Sequence, residues 1–190
     1  MKAISVFGVF VADLCFISNT IPEKGQTVLG SQHIIGPGGK GSNQAIAAAK
    51  LDGSERRAFV MLGDGEIQEG SVWEAAMAAA HHELGNLKVI LDRNRIQNDD
   101  FCETQMRMFD IPAKWRAFGW NVKEINGHDM NEVVEGMNYL SETNDGPSIL
   151  IAHTVKGKGV SFMEDNPSFH GAAPNDEQYA LALSELGVAV

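Results

Sequence analysis

An aspartate between two glycines, Gly63-Asp64-Gly65, and an asparagine downstream, Asn94, are the residues whose types and spacing point most directly to chemistry. Gly-Asp-Gly alone is a common turn. Here it closes an apolar run, residues 58–62, and a second apolar run, residues 87–91, likewise ends in polar residues, Asp92-Arg93-Asn94-Arg95-Ile96-Gln97. As ends of adjacent strands, these segments present one carboxylate, one amide oxygen and a backbone carbonyl to a single hard cation. Magnesium prefers such oxygen ligands and keeps phosphate oxygens in its remaining positions. Glycines on both sides of Asp64 let the backbone approach a phosphate, so the constellation reads as a diphosphate anchor.

Positioning that anchor requires an open α/β sheet, in which ligands bind at the carboxyl ends of the strands. The chain reads as one. Candidate strands at 58–62, 87–91, 120–125 and 148–153 alternate with helices at 69–84, 112–118 and 130–143, and a last helix covers 176–186. This alternation predicts a three-layer α/β fold, a mostly parallel sheet with helices on both faces. Upstream, residues 3–10 suit a buried strand. Residues 27–35 suit an arm of a small β-hairpin broken by Gly36-Pro37-Gly38-Gly39, and 40–51 an alanine-rich helix. The first strand, that helix and the strand at 58–62 are expected to form one βαβ unit.

The composition narrows the partners. Acidic residues number 25 against 15 basic, a formal charge of -10, which disfavours nucleic acid and anionic membranes as partners. A phosphate-bearing ligand must then be held by a local device such as a metal ion or a helix N-terminus. The two cysteines, Cys15 and Cys102, are far apart and lack zinc spacing, which fits a reducing cytoplasm. Asp13 interrupts the N-terminal apolar stretch, no small-residue cleavage site follows, and no run is long enough to span a bilayer. His81, His82 and His128 share no metal-ligand spacing and read as structural. The alanine-rich stretch 75–80 suits close packing against either the core or another copy of the chain.

The longer text around the anchor, Gly63-Asp64-Gly65-Glu66-Ile67-Gln68-Glu69-Gly70-Ser71-Val72-Trp73-Glu74-Ala75, resembles the N-terminal, thiamine diphosphate-binding domain of transketolase, especially the form divided between two polypeptides. So do Asn126-Gly127-His128-Asp129, Thr154-Val155-Lys156-Gly157-Lys158-Gly159 and Phe169-His170-Gly171-Ala172-Ala173-Pro174, and the resemblance runs from about residue 47 to 190. It implies thiamine diphosphate with magnesium or calcium as cofactors. Asp64, the Asn94 side chain and the Ile96 carbonyl would hold the metal, with Gly63 and Gly65 beside the diphosphate. His170 would lie near the diphosphate and the reacting carbon; read by itself it is a loop histidine. Glu69 and Glu74 would link two cofactor sites across a dimer, although carboxylates early in a helix also suit its macrodipole. The reaction implied is two-carbon ketol transfer between sugar phosphates. It also needs a pyrimidine-binding domain, expected from a partner subunit.

The first fifty residues carry a different resemblance. The segments Gly8-Val9-Phe10-Val11-Ala12-Asp13-Leu14, Pro22-Glu23-Lys24-Gly25-Gln26-Thr27-Val28 and Gly36-Pro37-Gly38-Gly39-Lys40-Gly41-Ser42-Asn43-Gln44-Ala45 resemble the start of ribokinase and related sugar kinases. By that resemblance Asp13, Gly39, Lys40 and Asn43 would face a ribose-like sugar. The division expected is therefore 1–51, a sugar-kinase-like segment, and 52–190, a transketolase-like domain incomplete on its N-terminal side. On this reading the chain is a chimera. It would act as a subunit inactive without its partner, as a sugar-binding module, or as a fusion that folds without activity. Gly36, Gly38 and Gly41 fit a dinucleotide fingerprint only formally, and Lys40-Gly41-Ser42 does not make a phosphate-binding loop.

Overall fold

The computed structural model describes residues 57–98 and 100–188 with their side chains, and the backbone of 4–7, 11–17 and 32–38. Seven strands are described, in chain order: β1 (Ile4–Phe7), β2 (Val11–Ile17), β3 (Gln32–Gly38), β4 (Ala58–Gly63), β5 (Leu87–Arg93), β6 (Asn121–Asn126) and β7 (Ser148–His153). Five α-helices are described: α1 (Gly70–His81), α2 (Cys102–Gln105), α3 (Ile111–Ala117), α4 (Met130–Glu142) and α5 (Asp176–Glu185). Single 3-10 turns occupy Glu66–Gln68 and Pro167–Phe169. Five strands form one sheet in the order β1-β4-β5-β7-β6, and every pairing in it is parallel.

Alternation along the strands builds two layers of core. Ala58, Val60 and Leu62 of β4, Leu87, Val89 and Leu91 of β5, and Ile149 and Ile151 of β7 share one face. On it α1 lays Val72, Ala75, Ala76 and Ala79, spaced by three and four as one helical stripe. Those alanines are 7%, 1% and 1% exposed at positions 75, 76 and 79, so they pack on the sheet rather than await another chain. Beneath the same face Trp115 of α3 meets Trp73 and Trp120 with ring centroids 5.2 and 4.8 Å apart. The opposite face carries Ile125 and Leu150, covered by Leu140 of α4. Helices on both faces of a parallel sheet give the three-layer α/β architecture expected.

Several boundaries differ from the sequence reading for local reasons. Helix α1 stops at His81 rather than 84, because Glu83 adopts φ 51 and the Leu84 N–H bonds back to the Ala79 carbonyl. Trp120 precedes β6 instead of opening it: its indole N–H donates to the Ala76 carbonyl at 2.9 Å and draws the residue toward α1. β2 and β3 form a separate antiparallel ribbon in which β3 continues through Gly36-Pro37-Gly38. Each strand of a two-stranded ribbon has an open edge, where proline is tolerated. β1 does pair in parallel with β4, Ile4 opposite Ala58. The helix expected at 40–51 lies outside the described residues.

Candidate functional site

Strand β4 delivers the chain to the carboxyl edge of the sheet and then turns at once. The Gly63 N–H donates to Glu66 Oε2 at 3.2 Å, and the Trp73 indole N–H donates to the Ile67 carbonyl at 2.8 Å, which pins the 3-10 turn onto α1. Gln68 Nε2 donates to the Met106 carbonyl at 2.9 Å and fastens the turn to the segment after α2. Asp64 is thereby buried, 1% exposed. One oxygen, Oδ1, accepts from Arg93 Nη1 at 3.1 Å, and Oδ2 accepts from the Arg95 backbone N–H. Burial raises the Asp64 carboxyl above the ordinary aspartate value, and the Arg93 charge and the Arg95 N–H oppose that rise.

Strand β5 ends beside it in a chain of side-chain bonds. The Thr154 hydroxyl, just past β7, donates to Asp92 Oδ1, and Asn94 Nδ2 donates to Asp92 Oδ2 at 2.9 Å. With its amide nitrogen so committed, Asn94 turns Oδ1 the other way, where it accepts from the Ile96 N–H at 3.0 Å. Arg95 takes φ 68 between them, and its N–H is the group bonded to Asp64. A Cβ added to Gly65 would lie 2.9 Å from Gln97 Cβ, so glycine is what lets the two strand-end loops touch. Among the described residues no N–H donates to the Ile96 carbonyl. The arrangement therefore brings Asp64 against the residue lying between Asn94 and Ile96. A carboxylate, an amide oxygen and a free carbonyl are the hard oxygen donors that suit magnesium or calcium. No group of three or more His, Cys, Asp or Glu side chains that could hold a metal ion occurs among the described residues; the expected set contains only one carboxylate.

The remaining candidates are distributed. A Cβ on Gly63 would meet nothing within 4 Å, so space is open beside it. Glu69 is the N-cap of α1 without a side-chain capping bond, and both Glu69 and Glu74 are exposed. His170 follows the second 3-10 turn, half-buried, with Nδ1 enclosed and unpaired among the described residues. It shares no hydrogen bond with Asp64, Asn94 or Ile96. Asp13 falls in β2, where only backbone is described, and Gly39, Lys40 and Asn43 lie outside the described residues. His128 Nε2 accepts from the Val155 N–H at 2.7 Å and ties the turn before α4 to the loop after β7.

Sequence reasoning missed Arg93, Asp92 and Thr154. All three act across neighbouring strands, Arg93 on β4 and Thr154 on β5, so only the register reveals them. A cavity of about 480 Å³ opens next to Asn94 on the α4 side of the sheet, with Ile90, Ile125 and Met137 among its walls and Asp92, Asn94 and Thr154 at its rim. Among the described residues no helix is long and apolar enough to cross a membrane.

Comparison with known proteins gives the family and the fold. The family model described as transketolase, thiamine diphosphate binding domain, matches residues 33–189. An apulose-4-phosphate transketolase subunit of Phocaeicola vulgatus is 38% identical over 181 residues, covering 90% of this chain and 64% of that protein. The 6-deoxy-6-sulfo-D-fructose transketolase subunit SqwG of a Clostridium species is 34% identical over 151 residues, 78% of this chain and 55% of its own. The chain thus spans between half and two thirds of the length of these relatives. Among solved structures, transketolase from Campylobacter jejuni superposes with a TM-score of 0.71 at 29% identity, over 77% of this chain and 24% of that one.

Proposed function

The chain belongs to the transketolase family through its thiamine diphosphate-binding domain, and from that premise we propose that it binds thiamine diphosphate with a divalent cation at the strand ends of β4 and β5. Asp64, Asn94 through Oδ1 and Ile96 through its carbonyl are the ligands this reading assigns, and Gly65 the backbone contact to the diphosphate. The observation that supports it is the bond from the Arg95 N–H to Asp64, which ties the buried carboxylate to the residue lying between Asn94 and Ile96 in the chain.

When bound, the cofactor would supply the nucleophilic carbon needed for two-carbon ketol transfer between sugars. The protein's share is position and charge. Asp64 and Asn94 would hold the metal that neutralises the diphosphate, Asp92 keeps the Asn94 amide turned the right way, and His170 is the group this reading assigns to proton transfer. The two relatives take their names from sugars that bear a phosphate or a sulfonate, so we assign ketoses bearing a terminal anion as the substrate class. Both relatives are subunits. A second polypeptide with the pyrimidine-binding domain completes the site on this reading, and Glu69 and Glu74 face across a dimer. We place the protein in the cytoplasm. Residues 1–51 we read as a sugar-kinase-like segment fused to the domain at 52–190. The family match begins at residue 33 and overlaps its end.

Calorimetry with thiamine diphosphate and Mg²⁺ tests the central assignment. The wild-type chain is expected to bind both together, and Asp64→Ala to lose at least a hundredfold in affinity, about 3 kcal/mol for one ligand of the metal. Equal binding by the two proteins would dismiss the site.

A further inference from the structure

Asp64 is neutralised by a guanidinium that has a second place to go. Arg93 Nη1 lies 3.1 Å from Asp64 Oδ1, and Nη2 of the same group lies 3.3 Å from Glu103 Oε1. The two carboxylates differ in surroundings: the Asp64 side chain is 0% exposed, that of Glu103 41% and that of Arg93 14%. Glu103 is itself held from outside by Arg107 Nε at 3.6 Å. The planar guanidinium fork thus spans from a buried acid to a solvated one.

A divalent cation on Asp64 meets this arrangement as a competitor. Two positive groups on one carboxylate oxygen repel strongly where water is scarce. The other oxygen, Oδ2, stays with the Arg95 N–H, so exchange at Oδ1 alone needs only a side-chain movement. We propose that Arg93 is the resident counter-ion of Asp64, that a divalent cation must displace it, and that Glu103 is the acid onto which it withdraws. The inference rests on the assignment of Asp64 as a metal ligand. It makes Arg93 a positioning residue that keeps the buried carboxylate charged and folded until the metal takes it, and that sets how much metal is required.

The test is titration of Mg²⁺ into the full chain with thiamine diphosphate in excess, alongside thermal unfolding without metal. Arg93→Met is expected to bind Mg²⁺ roughly tenfold more tightly and to unfold roughly 5–10 °C lower without it, a deficit that Mg²⁺ with thiamine diphosphate removes. Glu103→Gln is expected to weaken Mg²⁺ about two- to threefold, and to do nothing in the Arg93→Met background. Mg²⁺ affinity of Arg93→Met within twofold of wild type overturns the proposal while leaving the metal site standing. An equal effect of Glu103→Gln with and without Arg93 overturns it too, since that is bulk charge. Absence of Mg²⁺ binding in the wild type removes the metal assignment and this inference together. Should Arg93→Met not fold, unchanged Mg²⁺ affinity in Glu103→Gln is the overturning result.

Discussion

Lys88 sits at the opposite end of β5 from the site, fully buried, with its ammonium donating to the Thr143 carbonyl. Burial pushes its pKa from 10.5 down to about 8, helped by the charge of Arg57 and resisted by Asp145. Between those values the unfolded chain holds a proton that the folded chain has released, so Lys88 contributes stability that grows as pH rises through 8 toward 10.5. Cys102, raised by burial from 9.0 to about 11, works with the opposite sign above pH 9. The difference between wild type and Lys88→Met isolates the lysine. From pH 8 to 9 the wild type should gain up to about 1.4 kcal/mol on the variant, measured by urea unfolding; parallel pH profiles would contradict it. At this scale Asp64 and Asn94 were legible, because strand-end acids and amides announce themselves by type. Arg93, Asp92 and Lys88 were not, because their roles depend on what lies across the register, and nothing local marks Lys88, within the run 87–91, as a buried cation.

The elements were legible wherever one face had to be apolar. Strands β4, β5 and β7 and helix α1 follow their alternation and stripe to within a few residues. The misses came where a single side chain overruled the pattern: the Trp120 indole moved the start of β6, and Glu83 in the left-handed region shortened α1. Helix α2, one turn long, left no periodic trace at all. Helix α4 shows the element-scale energetics. A Cβ on Gly136 would lie 2.8 Å from both Cδ atoms of Leu150, which is itself 2% exposed. The helix gives up about 1 kcal/mol by holding glycine there, less than overpacking costs. Gly136→Val is therefore expected to destabilise the protein by about 2 kcal/mol or more, read as a lowered urea midpoint. An unchanged midpoint would mean that α4 floats on the sheet rather than being seated on it.

For the molecule as a whole, a parallel three-layer sheet was foreseeable from the alternation of strand and helix, whereas the strand order was not, since no local pattern states which strands pair. Glu69 and Glu74, exposed on α1, separate stability from assembly. Changing both to Gln is expected to leave the unfolding temperature within about 2 °C, as for most surface substitutions, and to weaken self-association of the cofactor-bound protein in sedimentation. A large loss of stability would make them structural instead. The sheet order has a consequence during synthesis. Among the described residues β6 pairs with β7 alone, and β7 sits between β6 and β5 although it is made after both. While residues 148–153 remain within the ribosome, β5 presents a bare edge and β6 has no neighbour among the described strands, leaving open strand edges for other chains to join. The nascent chain must therefore wait for β7, inserted as a keystone between two strands that precede it, and a message broken before that point yields a product primed to aggregate.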